Sequence, residues 1–159
     1  AELLSYLGRI EEALKENNIA RNLDPLAPRI SANTGWYLYF ARRYEEALQC
    51  YRRAIELGGI SKDPEADMAS CYALMGKREE ALKILDGLIE YSKTNFVSSV
   101  SMAFAYAALG ENELLFARLE KAVGERDPYL LGLKHYHRFD GVRADPRFTD
   151  LLRRIGLEK

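Results

Sequence analysis

Small residues recur in this chain every 34 residues, and that spacing restricts its fold more than any other feature of the sequence. A second series follows seven residues after the first and keeps the same period. Seven residues make about two turns of an α-helix, so both series lie on one helix face. Such a period indicates helix–turn–helix units that stack into a solenoid. The two series are Ala13, Ala47, Ala81 and Leu115, and Ala20, Ala54, Leu88 and Ala122.

Two further columns keep the period and divide each unit into a pair of antiparallel helices. A large-residue column consists of Leu4, Leu38, Tyr72 and Tyr106, and a turn column consists of Gly8, Arg42, Gly76 and Gly110. Acidic residues follow each turn, where they favour the N-terminus of the next helix: Glu11, Glu45, Glu79 and Glu113. The pattern predicts helices over 1–7 and 9–22, 28–41 and 44–57, 63–75 and 78–91, and 96–109 and 112–124.

The composition favours a packed helical protein and argues against several partners. The chain is 48% hydrophobic and 30% charged, and 23 basic residues balance 24 acidic ones. A net charge of -1 gives no electrostatic footprint for nucleic acid or an anionic membrane. The longest apolar stretch, Val97 to Leu109, is too short to span a bilayer. Cys50 and Cys71 have the spacing of neither a disulfide framework nor a zinc site.

The small and large columns resemble the tetratricopeptide repeat, through Leu38, Ala47, Tyr51 and Ala54 in the second unit and the repeat-end proline Pro25. The resemblance implies an all-α, right-handed α-α superhelix whose concave groove binds protein segments. The units would be 1–27 (truncated), 28–61, 62–95 and 96–126, followed by an extension over 127–159. Residues Ala1 to Leu7 have the pattern of the last turns of a helix that begins upstream, so we expect the chain to be a piece of a longer protein.

The C-terminal residues predict a helix that caps the open end of the solenoid. Asp145 is a capping residue and Pro146 suits the first helical position. Four apolar residues then fall on one face: Phe148, Leu151, Leu152 and Ile155. The stretches Asp145 to Leu157 and Trp36 to Ala47 also resemble bacterial tetratricopeptide regions. Those are fused behind winged-helix regulators, serine/threonine kinases or adenylate-cyclase-type domains. The resemblance implies a docking or sensory part of a signalling or regulatory protein that is cytoplasmic.

In tetratricopeptide solenoids the first helix of each unit lines the groove, and this resemblance implies the partner-binding residues. Rigid aromatic side chains beside a few polar groups are typical of peptide-binding surfaces. The alternative for Trp36 and Phe40 is that both pack against the first unit. The predicted partner-binding residues are Arg29, Asn33, Trp36, Tyr39, Phe40, Ser70 and Phe104.

The sequence offers little support for a metal site, an active site or a nucleic-acid-binding surface. His135 and His137 near Asp140 lack further ligands for a metal site. No phosphate loop or nucleophile motif is present, so we predict no enzyme activity, cofactor or metal. The arginine pairs at 42–43, 52–53 and 153–154 have acidic neighbours, which is typical of a solvated helix face. Two alternatives to protein binding stay open: self-assembly through Leu4 and Leu7, and small-molecule sensing in the groove.

Overall fold

A computed structural model describes residues 9–59 and 61–157, which are mostly helical and contain no strand. The predicted helix over 1–7, and with it Leu4 and Leu7, lies outside the described residues. Eight α-helices occur in the described part of the chain: α1 (Ile10–Leu23), α2 (Pro28–Phe40), α3 (Tyr44–Glu56), α4 (Asp63–Leu74), α5 (Arg78–Tyr91), α6 (Ser99–Leu109), α7 (Asn112–Glu125) and α8 (Pro146–Arg154).

The helices confirm the predicted alternation and nearly all of its boundaries. The largest difference is at α6, which was predicted to begin at residue 96 and begins at Ser99. Ser98 sets this start, because its side-chain oxygen accepts a hydrogen bond from the backbone N–H of Ser101 at 3.0 Å. The turn column is left-handed wherever the structure describes it, with φ of 59° at Arg42, 76° at Gly76 and 73° at Gly110.

The two small-residue series form the contacts between helices, as the period predicted. Every member of the first series, from Ala13 to Leu115, is fully buried. In the second series Ala54, Leu88 and Ala122 are buried and Ala20 is half-buried. The alanines of these series let neighbouring helices approach closely, and larger residues such as Tyr51 fill the spaces that remain.

The helices stack in chain order and leave one opening. Each of α2, α4 and α6 packs against the helix that follows it, and α4 also packs closely against α6. By contrast, α2 touches α4 only lightly and reaches the rest of the solenoid mainly through α3. A groove therefore opens on the face where α2, α4 and α6 lie.

Residues 127–157 cover the end of the solenoid and continue its core. Two 3₁₀-helices, Pro128–His135 and His137–Val142, lead into α8 and pack against α6. The predicted capping helix is confirmed: the Asp145 side chain accepts a hydrogen bond from the Arg147 N–H, and Phe148 and Leu151 are buried. Leu130, Leu133, Phe139 and Val142 belong to the same apolar cluster.

Candidate functional site

A groove of about 930 Å³ opens among the described residues. Most of its lining comes from α2, from the N-terminal half of α4, from α6 and from residues 129–138. Asn17 of α1, Ala54 of α3 and residues just after α3 also line it. The C-terminal extension is therefore more than an end cap, because it forms part of the groove wall. Below, "the groove" means this cavity.

Five of the seven predicted partner-binding residues line the groove: Arg29, Asn33, Trp36, Phe40 and Phe104. Asn33, Trp36 and Phe40 are half-buried and Arg29 is exposed. The rings of Trp36 and Phe40 meet edge to face, with centroids 4.7 Å apart. Trp36 thus lines the groove while its ring packs against Phe40 of the same helix, and packing against the first unit stays an alternative.

The other two predicted residues do not face the groove directly. The expected position of Ser70 on the groove surface is wrong: the residue is fully buried, and its hydroxyl donates a hydrogen bond to the carbonyl oxygen of Ala66, one turn earlier in α4. Tyr39 is 8% exposed and lies beneath the side chain of Arg138. A ligand would therefore touch Tyr39 only after Arg138 had moved.

Arg138 is the centre of the groove's polar chemistry. Its guanidinium carbon lies 4.0 Å from the centroid of the Tyr39 ring, 4.9 Å from that of Phe104 and 5.7 Å from that of Phe40. The Nη1 atom donates a hydrogen bond to Oδ1 of Asp67, and the two side chains form an ion pair. The Arg138 side chain is only 2% exposed and that of Asp67 only 16%. A cation is thus held between aromatic faces with one carboxylate beside it.

The pKa shifts follow from this burial. Burial raises the pKa of Asp67, and the Arg138 guanidinium counteracts part of that rise. Burial alone would lower the pKa of Arg138, but the neighbouring Asp67, Tyr39 and Tyr51 raise it overall, so its positive charge is retained. Burial also raises the pKa of the Tyr39 hydroxyl. The pair is a fixed charge arrangement inside a largely apolar wall.

Asp63 lies one turn before Asp67 on α4 and has a different set of partners. Its carboxylate accepts hydrogen bonds from the hydroxyls of Ser101 at 2.7 Å, Tyr129 at 2.8 Å and Ser61 at 2.5 Å. Burial and the Asp63 carboxylate raise the pKa of the Tyr129 hydroxyl, which keeps it protonated as a donor. Asp63 therefore ties α4 to α6 and to the C-terminal extension.

Asp127 holds the start of the C-terminal extension against α6. It is 2% exposed, and it accepts hydrogen bonds from the Ser98 hydroxyl at 2.8 Å, the Val100 N–H at 3.1 Å and the Tyr129 N–H at 3.0 Å. These bonds place the first turn of the extension over the N-terminus of α6. They fix the wall from which Tyr129 and Arg138 face the groove.

Four groove residues from the extension were not predicted: Tyr129, Tyr136, His137 and Arg138. One signal for Arg138 was present in the sequence. On α4, Asp63 and Asp67 are four residues apart and share a helix face, and α4 contains no basic residue. An acidic face that packs into a core requires donors from another part of the chain.

The remaining candidate features do not form a second site. His137 faces Asp140, with Nδ1 and Oδ2 3.3 Å apart, and both side chains are more than half exposed. Within 9–59 and 61–157, no group of three metal-ligating side chains is assembled. In the same residues, no helix is long and apolar enough to cross a membrane.

Comparison with known proteins addresses the fold. No family model matches the chain, and no curated protein matches it. One solved structure that it resembles is that of YrrB, described as "a TPR protein with an unusual peptide-binding site". The TM-score is 0.51 at 18% identity, and the match covers 99% of this chain and 82% of that one. The fold is a tetratricopeptide-like helical solenoid. At this identity the likeness shows the fold alone.

Proposed function

We propose that the chain is a protein-interaction module that binds a peptide segment of a partner in the groove. The observation that supports this most is the groove itself. Its volume is about 930 Å³, and α2, α4, α6 and the extension supply most of its lining. It combines the half-buried rings of Trp36 and Phe40 with the polar side chains of Arg29 and Asn33. Preformed apolar concavities with a few placed polar groups are typical of binding sites.

The fold supports the same class of function. Helical repeat solenoids present extended surfaces on which several units contact one ligand. YrrB, which shares the fold, is described as having a peptide-binding site, and we extend peptide binding to this chain as part of the proposal. A catalytic role is disfavoured, because the carboxylates of the groove already accept hydrogen bonds from hydroxyls or from Arg138.

The charge distribution favours protein over nucleic acid as the partner. The basic side chains at the exposed arginine pairs are largely matched by acids: Arg43 by Glu46, Arg53 by Glu56, and Arg154 by Glu120. Nucleic-acid binding needs a surface of uncompensated basic residues. We also propose that the module belongs to a larger cytoplasmic regulatory protein, on the resemblance of residues 145–157 and 36–47 to the bacterial regions named above.

The test is capture of a partner by immobilised chain from a lysate of the source cell. Arg29→Glu reverses a charge at the groove, where the exposed Arg29 has no ion-pair partner among the described residues. Lys83→Glu is the matched control, since Lys83 is exposed on α5 and lies away from the groove. We expect the wild-type chain and Lys83→Glu to capture the same protein and Arg29→Glu to capture much less of it. Equal capture by all three would contradict groove binding.

A specific observation keeps self-assembly as a second candidate. Large apolar side chains are exposed along and just after α1: Ile19 at 53%, Leu23 at 83% and Leu26 at 65%. A second copy could cover them and so extend the stack of helices. Sedimentation of the wild-type chain over a wide concentration range tests this, with Leu23→Asp as the variant that should prevent any association.

A further inference from the structure

We infer that the groove recognises an acidic side chain of its peptide, and that Arg138 is the residue that binds the carboxylate. This inference rests on the proposed function and specifies the chemistry of the ligand. It depends on which hydrogen-bonding groups of the groove are already paired within the chain and which are not.

The acidic groups of the groove are already paired. Asp63 accepts from three hydroxyls, and Asp67 accepts from Arg138. The three hydroxyls occupy hydrogen-bonding positions of the Asp63 carboxylate, which keeps its negative charge, and the charge of Asp67 is balanced by Arg138. The Asp67 carboxylate is therefore directed at Arg138, and the Asp63 carboxylate is directed at α6 and the extension.

The unpaired groups are donors. Nε and Nη2 of Arg138 are buried and have no hydrogen-bond acceptor among the described residues. Arg29 and Asn33, at the rim, likewise form no side-chain hydrogen bond within the described part of the chain. A buried guanidinium edge without an acceptor is costly, so a ligand that supplies one gains binding energy from it.

The unpaired edge of Arg138 has the shape of a carboxylate site. In the same protein, Arg43 donates through Nε and Nη2 to the two carboxylate oxygens of Glu46, both at 2.7 Å. Arg138 has these same two atoms unpaired, while its Nη1 is held by Asp67. Parallel N–H bonds to one carboxylate are the strongest and most specific pairing that a guanidinium makes.

Arg138 is held in place for this pairing before a ligand arrives. Asp67 holds one side of the guanidinium, and the rings of Tyr39 and Phe104 lie within 5 Å of it. In the unliganded chain its free edge is shielded from solvent. The inference requires a side-chain movement that opens this edge, and the half-buried Phe40 ring, which lines the groove with its centroid 5.7 Å from the guanidinium carbon, is placed to make it. Side-chain changes of this kind are common at binding interfaces.

The experiment uses short peptides blocked at both ends, with random flanks and Glu, Gln or Lys fixed at the centre. Retention of each pool on the immobilised wild-type chain is compared with retention on Arg138→Lys. That variant keeps a cation beside Asp67 but lacks the two-nitrogen edge. Arg29→Gln is a second variant, at an exposed position where folding is not at risk. Circular dichroism and thermal melting establish that each variant is folded.

We expect the wild-type chain to retain the Glu pool about tenfold or more over the Gln pool, as a bidentate charged pair provides. Arg138→Lys should lose most of that preference, and Arg29→Gln should lose a smaller part. Equal retention of Glu and Gln pools, or an unchanged preference in Arg138→Lys, would overturn the inference but leave peptide binding intact. A preference for Lys would overturn it in favour of a cation site from which Arg138 is displaced.

Two further outcomes distinguish a side-chain carboxylate from a C-terminal one, and failure of the inference from failure of the proposed function. A fourth pool has a free C-terminal carboxylate and no acidic side chain. Stronger retention of this pool than of the Glu pool would overturn the inference, because the carboxylate would then come from the peptide terminus. Retention of no pool by the wild-type chain would count against the proposed function and the inference together.

Discussion

The guanidinium of Arg138 lies 4.0 Å from the centroid of the Tyr39 ring, although the two residues are about 100 positions apart in the chain. Tyr39 lies near the end of α2 and Arg138 lies in the C-terminal extension. Because α2 touches α4 only lightly, this contact supplies a second connection across the groove. The geometry of the groove therefore depends on one cation from outside the repeats.

Replacing Arg138 by Met should destabilise the protein by about 3 kcal/mol, because the change leaves the Asp67 carboxylate buried without its cation. Urea unfolding followed by circular dichroism measures the loss. The double variant Asp67→Asn with Arg138→Met removes both charges and should recover much of the stability. A double-mutant cycle in which the two changes simply add would show that the pair is not coupled.

Gly35 is needed because the ring of Tyr51 packs directly against it. A Cβ built on Gly35 lies 2.7 Å from Cε1 of Tyr51, whose side chain is fully buried. We expect Gly35→Ala to lower the free energy of unfolding by about 2 kcal/mol through overpacking. Gly87→Ala is the control, because Gly87 is exposed in α5 and a Cβ built on it meets no other atom within 4 Å. Alanine at this position should raise the free energy of unfolding by about 0.5 to 1 kcal/mol. If both substitutions changed the free energy of unfolding in the same direction, the packing explanation would be contradicted.

Arg42 is the one non-glycine in the described part of the turn column, and it has a φ of 59°. L-residues other than glycine are strained there. Arg42→Gly should therefore raise the melting temperature. Glycine gives the unfolded chain more conformational entropy, and after this cost we expect a net gain of about 0.5 to 1 kcal/mol in the free energy of unfolding. The reciprocal change Gly76→Arg, at the equivalent position, should lower it. A loss of stability in Arg42→Gly would mean that the arginine side chain makes a contact that outweighs the strain.

The repeat explains why most of the fold could be predicted. Residues such as Ala47 and Ala81 recur at one spacing because each occupies the same helix contact, and local chemistry then marks the ends of the helices. Gly76, Gly110 and Asp145 are turn and capping residues whose conformations depend on near neighbours alone. Features that repeat or are local can be recognised in the order of the residues.

The groove was predicted only in part, because its chemistry is neither repeated nor local. Arg138 and Asp67 are 71 residues apart, and no periodicity relates them. Residues 128–142 form 3₁₀-helices, which lack the apolar stripe that identifies an α-helix. Ser70 was misplaced because its position on α4 turns it toward the core, and a serine hydroxyl can be satisfied there by the helix backbone.

Asp127 should be more important to the groove wall than its position in a loop indicates. Asp127→Ala removes three hydrogen bonds to a buried carboxylate and should cost about 3 kcal/mol. Hydrogen exchange provides the site-specific readout, since the Val100 and Tyr129 amides lose their acceptor and should exchange faster. Asp127→Asn should have a smaller effect. Unchanged exchange at both amides would contradict the role given to Asp127.

The most direct test of groove binding is site-specific photocrosslinking in the source cell. A photoreactive phenylalanine analogue replaces Asn33, which lines the groove, and in a second strain it replaces Lys83, which is exposed on α5. We predict a discrete adduct with a partner protein from position 33 and none from position 83. An adduct from position 83 alone, or from neither position while the folded chain is present, would contradict the account that partners bind in the groove.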